Sequence, residues 1–194
     1  MRFSQTEIAG VWVIDPDFRE DDRGRFFRAW CSREFAEKGI QFLPLQANMG
    51  FSLAKGTTRG MHYQIEPAAE AKLVRCTRGA MFDVALDLRP GSPTWGKWFG
   101  TELTEQNGRM LFVPELCAHG YQTLTDRTEM HYMTSQVYTP SACRGARFDD
   151  PAFQIQWPLP VTVVSDQDRN WPLNDRTERV QASSSTIAER IIPL

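Results

Sequence analysis

Short apolar segments separated by turn signals recur along most of this chain. Runs of four to eight apolar or alternating residues are typical of β-strands. Only one segment, Ser32–Lys38, has the pattern of a short helix, with Ser32 as its predicted N-cap and Gly39 at its end. The predicted strands are Val11–Ile14, Phe26–Trp30, Thr57–Tyr63, Lys72–Arg78, Met81–Asp87, Trp98–Leu103, Arg109–Val113, Gly120–Thr123, Glu129–Ser135 and Val161–Val164.

Two turn signals stand out between these strands. Arg89-Pro-Gly-Ser-Pro93 is a turn, and Glu105-Gln-Asn-Gly108 has the Asn-Gly corner that is typical of a β-hairpin. Many strands, few helices and regular turns predict an all-β sandwich or barrel. We expect one domain over residues 1–180 and a C-terminal tail over residues 181–194, which starts with Gln-Ala-Ser-Ser-Ser.

Composition narrows the possible partners and the compartment. The chain has 194 residues and a formal charge of -2, and it has no basic run, so nucleic acid is not an expected partner. No apolar stretch is long enough to span a bilayer, and the N-terminus is not a secretory signal. The four cysteines form no CxxC pair, which is typical of reduced thiols in a cytoplasmic protein.

The segment Arg59-Gly-Met-His62-Tyr-Gln64 carries the most distinctive chemistry. It places a cation, a histidine and an amide on one predicted strand. Strict alternation puts His62 and Gln64 on one face of that strand and Arg59 on the other. Imidazole titrates near neutral pH, so a positioned histidine can act as a general base.

Other polar residues complete a possible acid–base site. Lys72 lies in an otherwise apolar strand, Tyr132 follows His131, and His119 and Asp168 occupy turn-like segments. Each has an ordinary structural explanation by itself. Together they offer a base, a carboxylate to orient it, a phenolic acid and a cation, which is what proton removal beside a carbonyl group requires. Nearby arginines would bind a phosphate group.

Several signatures of other enzyme classes are missing. The chain has no GxGxxG, no P-loop and no GxSxG motif, so dinucleotide, nucleoside-triphosphate and serine-hydrolase chemistry are not expected. Tyr63 and Gln64 follow His62, so there is no HxH pair to hold a transition metal. We therefore expect no metal and no cofactor.

An ordered set of motifs resembles the dTDP-4-dehydrorhamnose 3,5-epimerase family of nucleotide-sugar epimerases. The set covers roughly residues 10–172, and although each motif alone is weak, their order is specific. The motifs are Asp22-Arg23-Gly24 with Phe26, Gln46 with Asn48, Arg59 through Gln64, Lys72-Leu-Val-Arg75, Gly79 through Arg89, Gly91-Ser-Pro-Thr94, Pro114 with Ala118-His119-Gly120-Tyr121, Tyr132, Gly145 with Asp149-Asp-Pro-Ala152, Trp157-Pro158 and Ser165 through Asp168.

This resemblance implies a cupin-like jelly-roll β-sandwich that forms a homodimer, needs no metal and acts on a nucleoside-diphosphate 4-keto-6-deoxy sugar. By the same resemblance, His62 is the base and Asp168 is its orienting partner. Tyr132 is the acid that returns a proton from the opposite side of the sugar. Lys72 stabilises the enolate oxygen, and His119 contacts the sugar or its phosphate.

The resemblance also assigns the nucleotide contacts. Arg23 and Arg59 would hold the diphosphate, and Phe26, Gln46 and Asn48 would line the nucleotide pocket. In the family, the strand from Arg23 to Phe26 can reach the site of the partner subunit.

The chain departs from the family pattern at several positions. Arg28 stands where the family has Glu, and Ala47 stands where it has Asp. Met49-Gly50 replaces His-Ser, and Gln167 replaces Lys. The first three departures are expected around the nucleotide and sugar, and the charge reversal at Arg28 leaves both the nucleotide and the sugar open.

Three alternatives stay open from the sequence. In the same class, the chain could be a monoepimerase for a differently linked sugar, for example a CDP-sugar. A non-catalytic module that binds nucleotide sugars is the second alternative, but binding alone does not need an acid opposite a base. The third, a metal-dependent cupin oxygenase, is disfavoured by the small number of possible ligands.

Overall fold

Two antiparallel sheets face each other and enclose the core in the computed structural model of the protein. The structure describes residues 1–174. Within them, the first sheet has the strand order β1-β2-β10-β7-β12-β5 and the second has the order β13-β6-β11-β8-β9. This two-layer all-β architecture is the one that the sequence predicts, and β3 and β4 form a separate hairpin.

The first sheet and the hairpin are built from eight strands and carry one short helix. The helix α1 is Ser32–Ala36. The strands are β1 Arg2–Gln5, β2 Trp12–Asp15, β3 Arg19–Asp21, β4 Gly24–Phe26, β5 Gln46–Ser52, β7 Lys72–Arg78, β10 Met110–Val113 and β12 Thr128–Thr134.

The second sheet carries the remaining strands and leads to the second short helix. The helix α2 is Asp166–Arg169, and a single 3₁₀ turn spans Pro140–Ala142. The strands are β6 Thr58–Gln64, β8 Ala80–Asp87, β9 Trp98–Thr104, β11 Cys117–Thr123 and β13 Cys143–Gly145.

Most predicted strands are present, and two are wrong. Of the predicted strand Phe26–Trp30, only Phe26 lies in a strand. Ala29 and Trp30 instead pack on the apolar cluster under α1. Val161–Val164 makes only one bridge, between Val163 and Thr57. The predicted helix is shorter than expected, and its N-cap is Cys31 rather than Ser32.

The Asn-Gly turn is present, but it does not close a hairpin. Gly108 has φ +56° and its N–H bonds to the carbonyl of Thr104, so the turn chemistry is as predicted. The strands on either side, β9 and β10, belong to different sheets. The turn therefore carries the chain from one layer to the other, which local sequence does not distinguish from a hairpin.

Strand β5 was missed because its polarity is inverted. Its inward side chains are polar, and Gln46 and Asn48 line the cavity between the sheets. Its alternate residues Ala47, Met49 and Phe51 lie on the outer side, where Met49 is 57% and Phe51 is 43% exposed. An edge strand with a polar inner face does not give the apolar pattern of a core strand.

Three apolar clusters hold these layers together. One lies between the sheets and includes Val74, Leu111 and Tyr121. A second covers the outer face of the first sheet around Phe35 of α1. The third covers the outer face of the second sheet, where Met61 packs with the segment after β13. The space between the sheets beyond the first cluster is left for the cavity.

Two glycines let β6 and β11 approach closely beside this cavity. A Cβ atom on Gly60 would lie 2.6 Å from Gly120 Cα, and one on Gly120 would lie 2.8 Å from the carbonyl oxygen of Arg59. Backbone atoms cannot move away as a flexible side chain can, so neither position has room for a larger residue.

We expect Gly120→Ala to lower the free energy of unfolding by about 1–3 kcal/mol, because its methyl group would press on β6. The matched control is Gly50→Ala on β5, where an added Cβ meets only ordinary contacts, the nearest being 3.4 Å from Met130 Cε. Urea unfolding of both variants measures the difference. Equal stability of the two variants would contradict the close approach.

Candidate active site

A cavity of about 860 Å³ opens between the two sheets. Its size is that of a site for a small molecule. It brings together most of the residues that the sequence singles out, from strands far apart in the chain. The predicted residues that line it are Gln46, Asn48, Arg59, His62, Lys72, His119, Tyr132 and Asp168.

On one wall, His62 and Asp168 form a hydrogen-bonded pair. His62 Nε2 lies 2.5 Å from Asp168 Oδ1. The carboxylate accepts, so the proton is on Nε2 and the lone pair of the neutral ring is on Nδ1. The His62 side chain is 45% exposed and lines the cavity. This pair has the form of a general base with an orienting partner.

The chain positions Asp168 through the start of α2. Ser165 caps this helix, and its hydroxyl accepts the N–H of Asp168. Asp168 Oδ2 accepts the N–H of Gly60 at 3.1 Å, so the carboxylate holds strand β6 as well as the ring. Burial favours the neutral acid, but hydrogen bonds from His62 and Gly60 outweigh it and lower the pKa of Asp168.

A break in the strand register places Arg59 on the same side as His62. Opposite β6, Tyr121 pairs with Arg59 and His119 pairs with His62, so one extra residue lies on β6. Arg59 therefore lines the cavity, whereas strict alternation predicted the opposite face, and that prediction is wrong. Its guanidinium contacts Ser52 Oγ at 3.3 Å and remains exposed.

On the other wall, Tyr132 extends from the inner face of β12. It packs against the apolar cluster between the sheets, and it pairs with Asn48 on the neighbouring strand β5. Burial raises the pKa of Tyr132, and the negative charge of Glu70 raises it further. The phenol is therefore held in its protonated form at neutral pH, which suits a proton donor.

Lys72 shares this wall and is almost fully buried. Only 6% of the residue is exposed, and its Nζ lies 2.5 Å from Glu70 Oε1. Glu70 also lines the cavity, although the sequence analysis did not single it out. The sequence did contain a signal for Glu70. It lies two residues before Lys72, and residues two apart on an extended segment share a face.

His119 lies directly beside His62 on the neighbouring strand. Its Nε2 lies 2.8 Å from Asp83 Oδ1, and Asp83 is fully buried on β8. Burial raises the pKa of Asp83 despite this contact. His119 thus presents a ring that is fixed by a buried partner and lines the cavity next to the base.

The loop after β12 closes one end of the cavity. Gln46 Oε1 accepts the N–H of Tyr138 at 2.5 Å, and Gln64 Oε1 accepts the N–H of Thr139 at 2.6 Å. Tyr138 lines the cavity, and 64% of it is exposed. The sequence analysis missed Tyr138, because nothing in the loop indicates that the side-chain amides of Gln46 and Gln64 hold it beside the site.

Arg23, Phe26 and Arg28 lie outside the cavity that one chain forms. Arg23 pairs with Asp21 of the same hairpin at 2.5 Å, and Phe26 is 71% exposed. Arg28 binds Glu34 at 2.8 Å. Within one chain, these residues do not take the nucleotide-pocket positions that the sequence analysis expected.

Of the remaining departures from the family pattern, some lie at the cavity and one lies away from it. Gly50 and Gln167 line the cavity, Met49 borders it although its side chain alternates with those of Gln46 and Asn48, and Ala47 does not reach it. The expectation that Arg28 and Ala47 both lie beside the nucleotide and sugar is therefore wrong for a single chain. Ala47 faces outward because it alternates with Gln46 and Asn48 on β5.

The described part of the chain offers no ready metal site. Over residues 1–174, no group of three His, Cys, Asp or Glu side chains is arranged to hold a metal ion. His62 and His119 are neighbours, but each already has a carboxylate on its Nε2. No helix within the same range is long and apolar enough to cross a membrane.

Comparison with known proteins gives a consistent result. The family model for dTDP-4-dehydrorhamnose 3,5-epimerase matches residues 5–175. The protein of that name from Sinorhizobium fredii is 45% identical over 177 residues, which is 89% of each chain. A dTDP-4-dehydrorhamnose 3-epimerase from Streptomyces niveus is 38% identical over 171 residues, which is 88% of this chain and 82% of the relative.

A solved structure agrees with the sequence relatives. The crystal structure of dTDP-4-dehydrorhamnose 3,5-epimerase from Bacillus anthracis, with TDP and PPi bound, superposes with a TM-score of 0.86 at 34% identity. The match covers 89% of this chain and 99% of that chain. Both the fold and the sequence place this chain in the dTDP-4-dehydrorhamnose 3,5-epimerase family.

Proposed function

We propose that the protein is an isomerase that inverts C3 and C5 of dTDP-4-dehydro-6-deoxyglucose. The observation that carries this proposal is a base and an acid on facing walls of one cavity. His62, whose ring is bound by Asp168, lies on the second sheet, and Tyr132 lies on the first. The names of the relatives support the same substrate class.

The reaction begins with removal of a proton next to the 4-keto group. His62 Nδ1 takes this proton, and the electron pair moves to the keto oxygen to form an enolate. The Lys72 ammonium lies at the cavity wall and stabilises that oxygen. A positioned donor of this kind contributes about 10²–10³-fold to the rate.

Inversion follows when the proton returns to the other face of the ring. Tyr132 donates its phenolic proton to the carbon as the enolate collapses to the ketone. His62 then loses its proton to solvent, and Tyr132 regains one. Each cycle thus leaves the enzyme unchanged and carries a solvent proton into the product.

Arg59 and His119 would bind the diphosphate and sugar, and Gln46, Asn48 and Tyr138 would contact the nucleoside. These side chains line the same cavity. The proposed reaction needs no metal, since Lys72 supplies the positive charge that would otherwise come from a cation.

A single inversion at C3 is the second candidate. The relative from Streptomyces niveus, which is 38% identical, is named as a 3-epimerase. Both outcomes use the same base and acid, so the walls of the cavity do not distinguish them.

We also propose a homodimer in which the β3–β4 hairpin enters the cavity of the partner. Arg23 and Phe26 are highly exposed and do not reach the cavity of their own chain. The outer side of β5 presents exposed Met49 and Phe51 at an edge of the first sheet. Exposed apolar side chains in a row favour an interface.

We further propose a cytoplasmic location. All four cysteines are free thiols, which fits a reducing compartment.

Replacement of the base tests the proposed function. We expect His62→Asn to lower the rate of solvent exchange at the sugar by about 10²–10⁴-fold, because the substitution removes the proposed general base. Proton NMR in D₂O with dTDP-4-dehydro-6-deoxyglucose measures exchange and inversion at each carbon. The matched control is His131→Asn on the outer face of β12, and the native rate should survive EDTA.

Near-native exchange by His62→Asn would remove His62 from the mechanism. Native exchange at C3 alone would favour the 3-epimerase, and an absence of exchange in the native protein would refute the epimerase proposal.

Tyr132→Phe should separate the two halves of the reaction. Loss of the hydroxyl removes the proton donor but leaves His62 in place, so exchange should fall less than inversion. The same NMR assay reports both rates in one sample. If both fall by one large factor, Tyr132 only positions the substrate.

A mixed dimer tests whether the hairpin works in the partner. We expect Arg23→Glu and His62→Asn each to be nearly inactive alone. A dimer with one subunit of each type has one site with an intact hairpin and an intact base, so it should regain about half of the native activity. Coexpression with two tags and purification through both isolates this dimer. No recovery would mean that the hairpin serves its own chain.

A further inference from the structure

Glu70 and Lys72 form a buried ion pair at the wall of the cavity. The residues are 9% and 6% exposed, and their charged atoms are 2.5 Å apart. Both line the cavity. Glu70 has no part in the proton transfers described above, so its burial beside the reaction needs another explanation.

Hydrogen bonds from Lys72 and Gln64 hold the carboxylate of Glu70. Its other oxygen, Oε2, accepts from Gln64 Nε2 at 3.4 Å. Gln64 is 1% exposed and also donates to the carbonyls of Ala68 and Val137. The carboxylate is therefore linked to β6 and, through Gln64, to the segments that carry Ala68 and Val137.

Lys72 depends on this carboxylate. A buried ammonium is costly unless it has a counter-charge and hydrogen-bond partners. Over the described residues, Glu70 is the one hydrogen-bond partner of Nζ. Since an ammonium has three donors, two remain for an oxygen of the substrate.

We propose that Glu70 is a positioning residue that acts through Lys72. Its carboxylate holds the ammonium at the place where the enolate oxygen forms. This inference rests on the proposed epimerase function and adds a residue to it. A flexible lysine side chain without such a partner would lose rotamer entropy each time it met the enolate.

The negative charge of Glu70 by itself would slow the reaction, whereas its positioning of Lys72 would speed it. The direction in which kcat changes therefore tests the proposal. A negative charge near a developing enolate opposes its formation. If Glu70 acted only through its charge on the substrate, its neutralisation would raise kcat. If it positions Lys72, neutralisation lowers kcat, because a charged acceptor binds an ammonium about twice as strongly as a neutral one.

The first experiment compares Glu70→Gln with Glu66→Gln. Glu66 lies in the same loop but is exposed, so it receives the same chemical change away from the cavity. We expect Glu70→Gln to lower kcat about 10–100-fold, as displacement of a catalytic group by about 1 Å does. KM and the affinity for dTDP should stay within about 3-fold, and the control should match the native protein.

A double-mutant cycle with Lys72→Met separates this role from a structural one. If Glu70 acts through Lys72, Glu70→Gln should change kcat less than about 3-fold once the ammonium is gone. Equal losses in both backgrounds would overturn the proposal, as would an increase in kcat on Glu70→Gln alone.

Glu70→Asp is an independent test that keeps the negative charge of the side chain. Its carboxylate is one methylene shorter, so a positioning role predicts a clear loss of kcat, whereas native kcat would overturn it. Thermal unfolding of every variant identifies any that fail to fold. An inactive native protein would instead refute the epimerase function, and the role of Glu70 would fall with it.

Discussion

The carboxylate of Asp168 is the contact on which the site depends. It accepts the ring nitrogen of His62 and the backbone N–H of Gly60, and it is almost fully buried. These two groups lie two residues apart on β6, where the strand register shifts. Asp168 therefore sets the tautomer of His62 and stabilises the irregular strand that carries it.

This irregularity has a chemical consequence. A regular strand would place residues 59 and 62 on opposite faces, since side chains alternate. The extra residue brings both into the cavity, where Arg59 supplies a cation beside the base. Gly60 and Gly120 make this possible, because any side chain there would meet backbone atoms of the other strand. Bulges next to active sites commonly redirect a side chain in this way.

The sequence was sufficient for the all-β class and for most strands, because buried strands carry a strong apolar pattern. It failed where pattern and environment disagree. Strand β5 has polar residues inside and apolar residues outside, and Phe26–Trp30 is apolar without being paired. Tyr138 was missed because its position depends on a hydrogen bond to Gln46, which is distant in sequence. Glu70 was missed although it lies two residues before Lys72 on an extended segment.

The resemblance to a family located side chains that the pattern alone could not place. Most of the residues that it named line the cavity, from both sheets, but Arg23, Phe26 and Arg28 do not reach the cavity of their own chain. The homodimer that we propose would account both for that failure and for the inverted polarity of β5. A strand whose outer face is apolar and a hairpin whose phenylalanine is exposed would both be covered by a second chain.

The two-sheet architecture itself explains why this fold suits an inversion. Two packed sheets stand about 10 Å apart, which leaves room for a sugar ring between their inner side chains. His62 extends from one sheet and Tyr132 from the other, so in the proposed mechanism a ring held between them would meet the base on one face and the acid on the opposite face. The stereochemistry of the proposed reaction would then follow from topology, because a proton that leaves toward one sheet and returns from the other inverts the carbon.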